Sequence, residues 1–98
     1  MPTASGKVLI LDRVHPACRA ELETAGFEVF EKPSMPREDL ERLIGEVSAV
    51  VLRGTTRLDK ALLESASRRG ILRLLVRVGA GLDNIDIEAA TSTGIVVE

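Results

Sequence analysis

Short, strongly apolar runs alternate along this chain with stretches whose apolar positions recur at helical spacing. Lys7-Val-Leu-Ile-Leu11 has strand length and no interior polar break, so it reads as a buried strand. His15-Pro16 then opens a helix, because a proline in the first turn loses no needed N–H. Cys18, Leu22 and Ala25 mark the apolar stripe of that helix, and Gly26 supplies its left-handed stop. Phe27-Glu-Val-Phe30 alternates and predicts a second strand. Pro33-Ser-Met-Pro36 is a turn, after which Leu40, Leu43, Ile44 and Val47 form the stripe of a second helix. Ala49-Val-Val-Leu52 is apolar on both faces and predicts a third strand.

The remainder repeats the alternation. Asp59 is placed to cap a helix carrying Leu62, Leu63 and Ala66, closed by Gly70. Ile71-Leu-Arg-Leu-Leu-Val76 predicts a fourth strand, with Arg73 as its one discordant residue. Gly79-Ala-Gly81 breaks the chain, Asp86 caps a short helix through Thr93, Gly94 ends it, and Ile95-Val-Val97 begins a last strand. Continuous apolar strands between amphipathic helices imply a parallel sheet covered on both faces. The expected fold is therefore α/β, a flavodoxin-like doubly wound sheet of five strands in the order 2-1-3-4-5. Residues 1–98 are expected to form one domain, and the stop at Glu98, with no helix after the last strand, reads as a piece of something larger.

Composition removes several function classes. The chain of 98 residues is 45% hydrophobic and 29% charged, as globular proteins are. It contains one histidine, His15, and one cysteine, Cys18, too few for a structural zinc site or an internal disulfide. With only Phe27 and Phe30 as aromatics and a net charge of −2, neither base stacking nor a global basic field points to nucleic acid. No run of ~18 apolar residues exists to span a bilayer, and Met1–Gly6 lacks an export pattern. The expected location is cytoplasmic. Charge is nevertheless uneven: residues 51–80 hold seven bases against Asp59 and Glu64, a local excess suited to a small anion.

In open α/β sheets ligands bind beyond the carboxyl ends of the strands. After the first strand comes Asp12-Arg13-Val14-His15, after the third Arg53-Gly54-Thr55-Thr56, and after the fourth Arg77-Val-Gly-Ala-Gly-Leu-Asp-Asn84. Two glycines one residue apart let backbone N–H groups approach an anion. Arg77 and Arg53, at neighbouring strand ends, add planar forks suited to carboxylate or phosphate. The residues fit either a pocket for a small, doubly anionic substrate or a solvated surface around a turn. Gly79-Ala-Gly81-Leu-Asp-Asn84 is not a dinucleotide fingerprint, because Asn84 stands at the third glycine and no acidic residue follows on a later strand. Asp83 reads as a helix cap, Asn84 as a cap or a ligand contact, His15 as a cap or surface residue, and Cys18 as core. Asp12 is a lone carboxylate; a phospho-receiver would need paired acids there and an aspartate where Arg53 stands.

Lys7-Val-Leu-Ile, Val51-Leu-Arg53-Gly-Thr-Thr, Arg77-Val-Gly-Ala-Gly-Leu-Asp-Asn-Ile-Asp86 and Glu88-Ala-Ala-Thr…Gly94-Ile-Val-Val together resemble the opening lobe of the D-isomer-specific 2-hydroxyacid dehydrogenases, nearest to the phosphoglycerate-type members. The resemblance covers nearly the whole chain, with Val76 where that family commonly has glycine. It implies a substrate-binding lobe of an NAD-dependent oxidoreductase acting on a D-2-hydroxy acid, with oxidation of 3-phosphoglycerate to 3-phosphohydroxypyruvate, a step of serine biosynthesis, as the expected reaction. On matching positions it implies substrate contacts from Arg53, Arg77, Val78, Gly79 and Gly81, a brace from Asn84, and a cofactor contact from Ala80. The family's catalytic arginine, glutamate and histidine belong to a nucleotide-binding domain that these residues do not include, and His15 is no substitute. NAD is thus expected for the parent enzyme and not for this chain alone, which is expected to be inactive. The other reading is a stand-alone, non-catalytic binding or interaction module of the same fold, natural or engineered, which associates through its uncovered last strand.

Overall fold

The computed structural model describes residues 6–33, 35–54, 56–79 and 84–98. Along the chain these form β1 (Lys7–Ile10), α1 (Pro16–Thr24), β2 (Glu28–Glu31), α2 (Arg37–Leu43), a 3-10 turn (Ile44–Glu46), β3 (Ala49–Leu52), α3 (Lys60–Ser67), β4 (Leu74–Arg77), α4 (Ile87–Ser92) and β5 (Val96–Val97). All pairings are parallel and the strand order is β2-β1-β3-β4-β5, the doubly wound arrangement the pattern predicts.

The order divides the core unequally. Right-handed crossovers put α1, which steps from β1 out to β2, on one face, and the helices stepping the other way on the opposite face. The larger cluster accordingly gathers Leu9, Val50, Leu52 and Leu75 from the sheet with Leu40, Ile44, Leu62, Leu63, Ala66, Ala89 and Ala90 from the helical layer. The smaller cluster holds Val8, Ile10, Val29 and Val51, packed by Val14, Cys18, Leu22 and Phe27. Register keeps the faces in phase across the sheet, with Leu9 opposite Val50, Val50 opposite Leu75, and Leu75 opposite Val97. On the α1 side the strip continues through Val76, which is half-buried, to Val96, which is 52% exposed.

Caps follow the chemistry of the residues before each helix. Asp59 accepts from the Leu62 amide and Asp86 from the Ala89 amide, both at 3.0 Å. His15 caps α1 through Nδ1, which accepts from the Ala17 amide at 3.0 Å, and Pro16 occupies the first turn. Gly26, with φ of 100°, ends the turn after α1 in the left-handed region.

Four local expectations change. Ala25 is exposed rather than on the packed stripe, because it is already the C-terminal cap of α1. Cys18 is half-buried at the edge of the smaller cluster rather than in its centre. The second helix tightens into the 3-10 turn at Ile44, so Val47 is buried from an extended segment instead of a helical one. The fourth strand begins at Leu74, not Ile71, because its neighbour β3 begins at Ala49, the partner of Leu74. Arg73 therefore precedes the ladder and stays exposed.

Candidate anion-binding site

Three loops leave the carboxyl edge of the sheet side by side, from β1, β3 and β4. The strand order reverses between β1 and β3, which makes this edge the topological switch. Asp12 lies two residues past the end of β1 and is 5% exposed, the one buried charged residue among those described. Its carboxylate accepts from the Arg53 amide at 2.6 Å and from the Thr56 hydroxyl at 2.9 Å, both on the loop that leaves β3. Burial of a carboxylate is tolerated because these donors replace water.

Asn84 holds the same loop from the other side. Its Nδ2 donates to the carbonyls of Arg53 and Thr56, each at 2.7 Å, and its Oδ1 accepts from Nε of Arg77 at 3.2 Å. The neighbouring backbone continues the contact as an isolated parallel bridge, Leu58 with Ile85, in which the Leu58 amide donates to the Asn84 carbonyl at 2.7 Å. Arg53 and Thr56 are thus bound by their donors to the β1 loop and by their carbonyls to the residue after the β4 loop.

The candidate ligands are placed as follows. Arg53 is exposed, and its Nη1 lies 3.5 Å from the Arg13 carbonyl. Arg77 ends β4 opposite Leu52 and is half-buried. Its guanidinium runs beside the β3 loop, where a methyl group at Gly54 would sit 3.7 Å from Nη2, an ordinary contact. Val78 spends its amide on the Leu52 carbonyl at 2.9 Å, so it offers a ligand an exposed side chain and not an N–H. Gly79 has a φ of 109°, which a side chain would strain. Ala80, Gly81 and Asp83 lie outside the described residues. Arg13 on the β1 loop and Arg57 on the same β3 loop as Arg53, neither singled out by motif, are exposed and add to the positive edge.

The sequence reading missed Asp12 as a partner of this loop. Its only signal is a carboxylate placed right after the apolar run Val8–Leu11 at the switch point. Below the edge, Arg37 at the start of α2 donates twice to Asp59, at 2.9 and 3.0 Å. That pair, then the Leu62 amide, holds the Asp59 carboxyl below the usual carboxylate range. A groove of about 730 Å³ between β2 and α2 is lined by Met35, Pro36, Leu43 and Glu46 and by none of Arg53, Arg77 or Asn84. Its rim charges are partly neutralised, Asp39 by Arg42 and Glu46 by Arg69.

The helices that follow the β3 and β4 loops open on the carboxylates of Asp59 and Asp86, with Glu88 in the first turn of α4. Asp59 and Asp86 each occupy one amide of their helix start, and Glu88 adds negative charge to that of α4. Among the described residues no group of three His, Cys, Asp or Glu could hold a metal, and no helix is long and apolar enough to cross a membrane.

A five-stranded parallel sheet in the order β2-β1-β3-β4-β5, with Arg53 and Arg77 at its switch edge, defines a domain of the doubly wound α/β class. Comparison with known proteins carries this further. Residues 8–98 match the family model described as D-isomer specific 2-hydroxyacid dehydrogenase, catalytic domain, and the chain belongs to that family. D-3-phosphoglycerate dehydrogenase of Sus scrofa is 35% identical over 91 residues, which is 93% of this chain and 16% of that protein. The Archaeoglobus fulgidus enzyme of the same name is 37% identical over 91 residues, 17% of its length. The chain thus spans about one-sixth of the curated relatives it matches. Among solved structures, NAD+-bound 3-phosphoglycerate dehydrogenase of Entamoeba histolytica superposes with a TM-score of 0.81 at 31% identity, covering 96% of this chain and 32% of that one.

Proposed function

We propose that this chain is the substrate-binding lobe of a cytoplasmic, NAD-dependent dehydrogenase that oxidises 3-phosphoglycerate to 3-phosphohydroxypyruvate, the entry into serine biosynthesis. The observation that carries the reading is the cross-braced edge, where Asp12 and Asn84 fix the β3 loop and so hold Arg53 and Arg77 at adjacent strand mouths. A substrate with a carboxylate at one end and a phosphate at the other suits two guanidiniums and a glycine turn better than a monoanionic acid does. In this reading Arg53 and Arg77 hold the negative groups, Gly79 offers its backbone to the carboxylate, Val78 contributes its exposed side chain, and Gly81 is assigned a substrate contact by its match to the family. Asn84 braces the β3 loop, and Ala80 is assigned a cofactor contact by its match to the family. NAD supplies the hydride acceptor and is held by a nucleotide-binding domain outside residues 1–98, in keeping with the acid-capped helices of this lobe. The general base also lies there, so residues 1–98 alone do not turn over.

Calorimetric titration of the intact protein tests this, with 3-phosphoglycerate, D-lactate and sulfate at matched ionic strength. The expected order of affinity places 3-phosphoglycerate first. Arg53→Ala and Arg77→Ala each weaken it at least tenfold, the size of a lost charge-assisted hydrogen bond of roughly 1.5–3 kcal/mol. Equal affinity for sulfate, or arginine variants that bind as wild type does, would sink the assignment. The exposure of Val96 on the short edge strand β5 favours the other reading, a non-catalytic interaction module associating through that strand. A protein that binds none of the acids and gains mass with concentration in sedimentation would support it.

A further inference from the structure

We propose that Asp12 is a positioning residue for the anion site, acting on Arg53 through the backbone of the β3 loop; the inference rests on the substrate-lobe reading and names a further residue of that site. The described bonds of Asp12 go to the Arg53 amide and the Thr56 hydroxyl, 41 and 44 residues away in sequence, and not to a guanidinium. A carboxylate only accepts, and this one is 5% exposed, so turning the loop away would strand a charge without water. The 2.6 Å contact is short, as bonds from an amide to an ionised acceptor are.

The peptide groups on either side of the Arg53 Cα are therefore both tied, the N–H to Asp12 and the carbonyl to Asn84 at 2.7 Å. With both peptide planes fixed, the direction in which the Arg53 side chain leaves the loop is set before any ligand arrives. The ordering cost is met in folding, which raises affinity for an anion without adding a contact to it. Asp12 also bridges the switch point itself, joining the β1 mouth to the β3 mouth where the two strands' loops part.

Three variants of the intact protein test the proposal: Asp12→Ala, Asp12→Asn and Thr56→Val. Each is read by hydrogen–deuterium exchange of a peptide containing Arg53, by calorimetric affinity for 3-phosphoglycerate, and by melting temperature. Asp12→Ala is expected to speed exchange at the Arg53 amide at least tenfold and to weaken binding at least tenfold. Asp12→Asn is expected to restore both to within threefold of wild type, because Oδ1 still accepts from the amide and Nδ2 donates to the hydroxyl. Thr56→Val removes one of the two donors and is expected to weaken binding about threefold. A folded Asp12→Ala protein that melts earlier yet binds with wild-type affinity makes the role merely structural and overturns the proposal, as does an Asp12→Asn protein as weak as the alanine variant. Should Asp12→Ala not fold, Thr56→Val decides, and wild-type exchange and affinity there overturn it. If wild type itself binds no 3-phosphoglycerate, the substrate reading has failed and the exchange rates alone judge Asp12, unchanged exchange at Arg53 counting against it.

Discussion

Asn84 shows how much one side chain can hold when its donors and acceptor are all engaged. Its amide takes two carbonyls from one loop and a guanidinium from the end of β4, at 2.7, 2.7 and 3.2 Å. Asn84→Ala removes all three bonds and leaves the Arg53 and Thr56 carbonyls without their present partner. The expected cost is about 1–3 kcal/mol, since part of the loss is made good by water at this half-exposed edge. Chemical denaturation of the variant, compared with wild type at equal m-value, measures it. Neither this role nor that of Asp12 was legible from spacing. Their partners on the β3 loop lie 28 to 44 residues away, and nothing local to an Asp-Arg-Val or a Leu-Asp-Asn sequence names them. The places of Arg53 and Arg77 at neighbouring strand ends were legible because strand ends could be located first. The sequence misplaced Ala25 for the opposite reason: periodicity carries a stripe past the residue where the helix stops.

Individual helices are short here, and their ends carry a large share of their definition. α3 spans eight residues between Asp59 and Arg68, and Asp59 both caps it and pairs with Arg37 of α2. The two functions separate by substitution. Asp59→Asn keeps an acceptor for the Leu62 amide and loses the charge, whereas Asp59→Ala loses both. The alanine variant is expected to cost about 1 kcal/mol, the usual value of a cap, and the asparagine variant clearly less. The pair also gives a pH dependence whose sign is fixed. Arg37 lowers the Asp59 pKa in the folded state, so the folded protein holds this proton less tightly than the unfolded chain does. The resulting stabilisation is present above the ordinary carboxylate range and is lost as pH falls through the lowered folded value. Melting temperatures of wild type and Asp59→Asn should therefore converge on acidification, and parallel curves would contradict the assignment. The element boundaries misread in sequence have a related cause. Ile71-Leu-Arg-Leu-Leu-Val76 has strand composition throughout, but a strand is only as long as its neighbour allows, and β3 sets the start at Leu74.

At the scale of the molecule the sheet has one thick side and one thin side. The layer of α2, α3 and α4 covers Leu9, Val50, Leu52 and Leu75, each 0% exposed. On the other side α1 covers β1 and its neighbours, while the strip leads out through Val76 to Val96, which is 52% exposed. The fold class was legible because alternating strand and helix fix the crossovers, and the crossovers fix which face each helix takes. The asymmetry follows from the order β2-β1-β3-β4-β5 alone, as only the β1-to-β2 connection steps outward on its own side. Stability should mirror it. Leu75→Ala empties a site closed on all sides and is expected to cost about 2–5 kcal/mol, the transfer free energy of the lost atoms plus a cavity term. Val96→Thr, on the neighbouring strand but facing the thin side, replaces a methyl that water already reaches and is expected to change stability by less than about 0.5 kcal/mol. The pair Leu75–Val97 and the pair Leu74–Val96 are adjacent in register, so the two substitutions differ in face and hardly in position. A large loss at Val96 would mean that the thin side is packed in solution. The weight of the core would then be shared between the two faces, and the edge that carries Arg53 and Arg77 would rest on both.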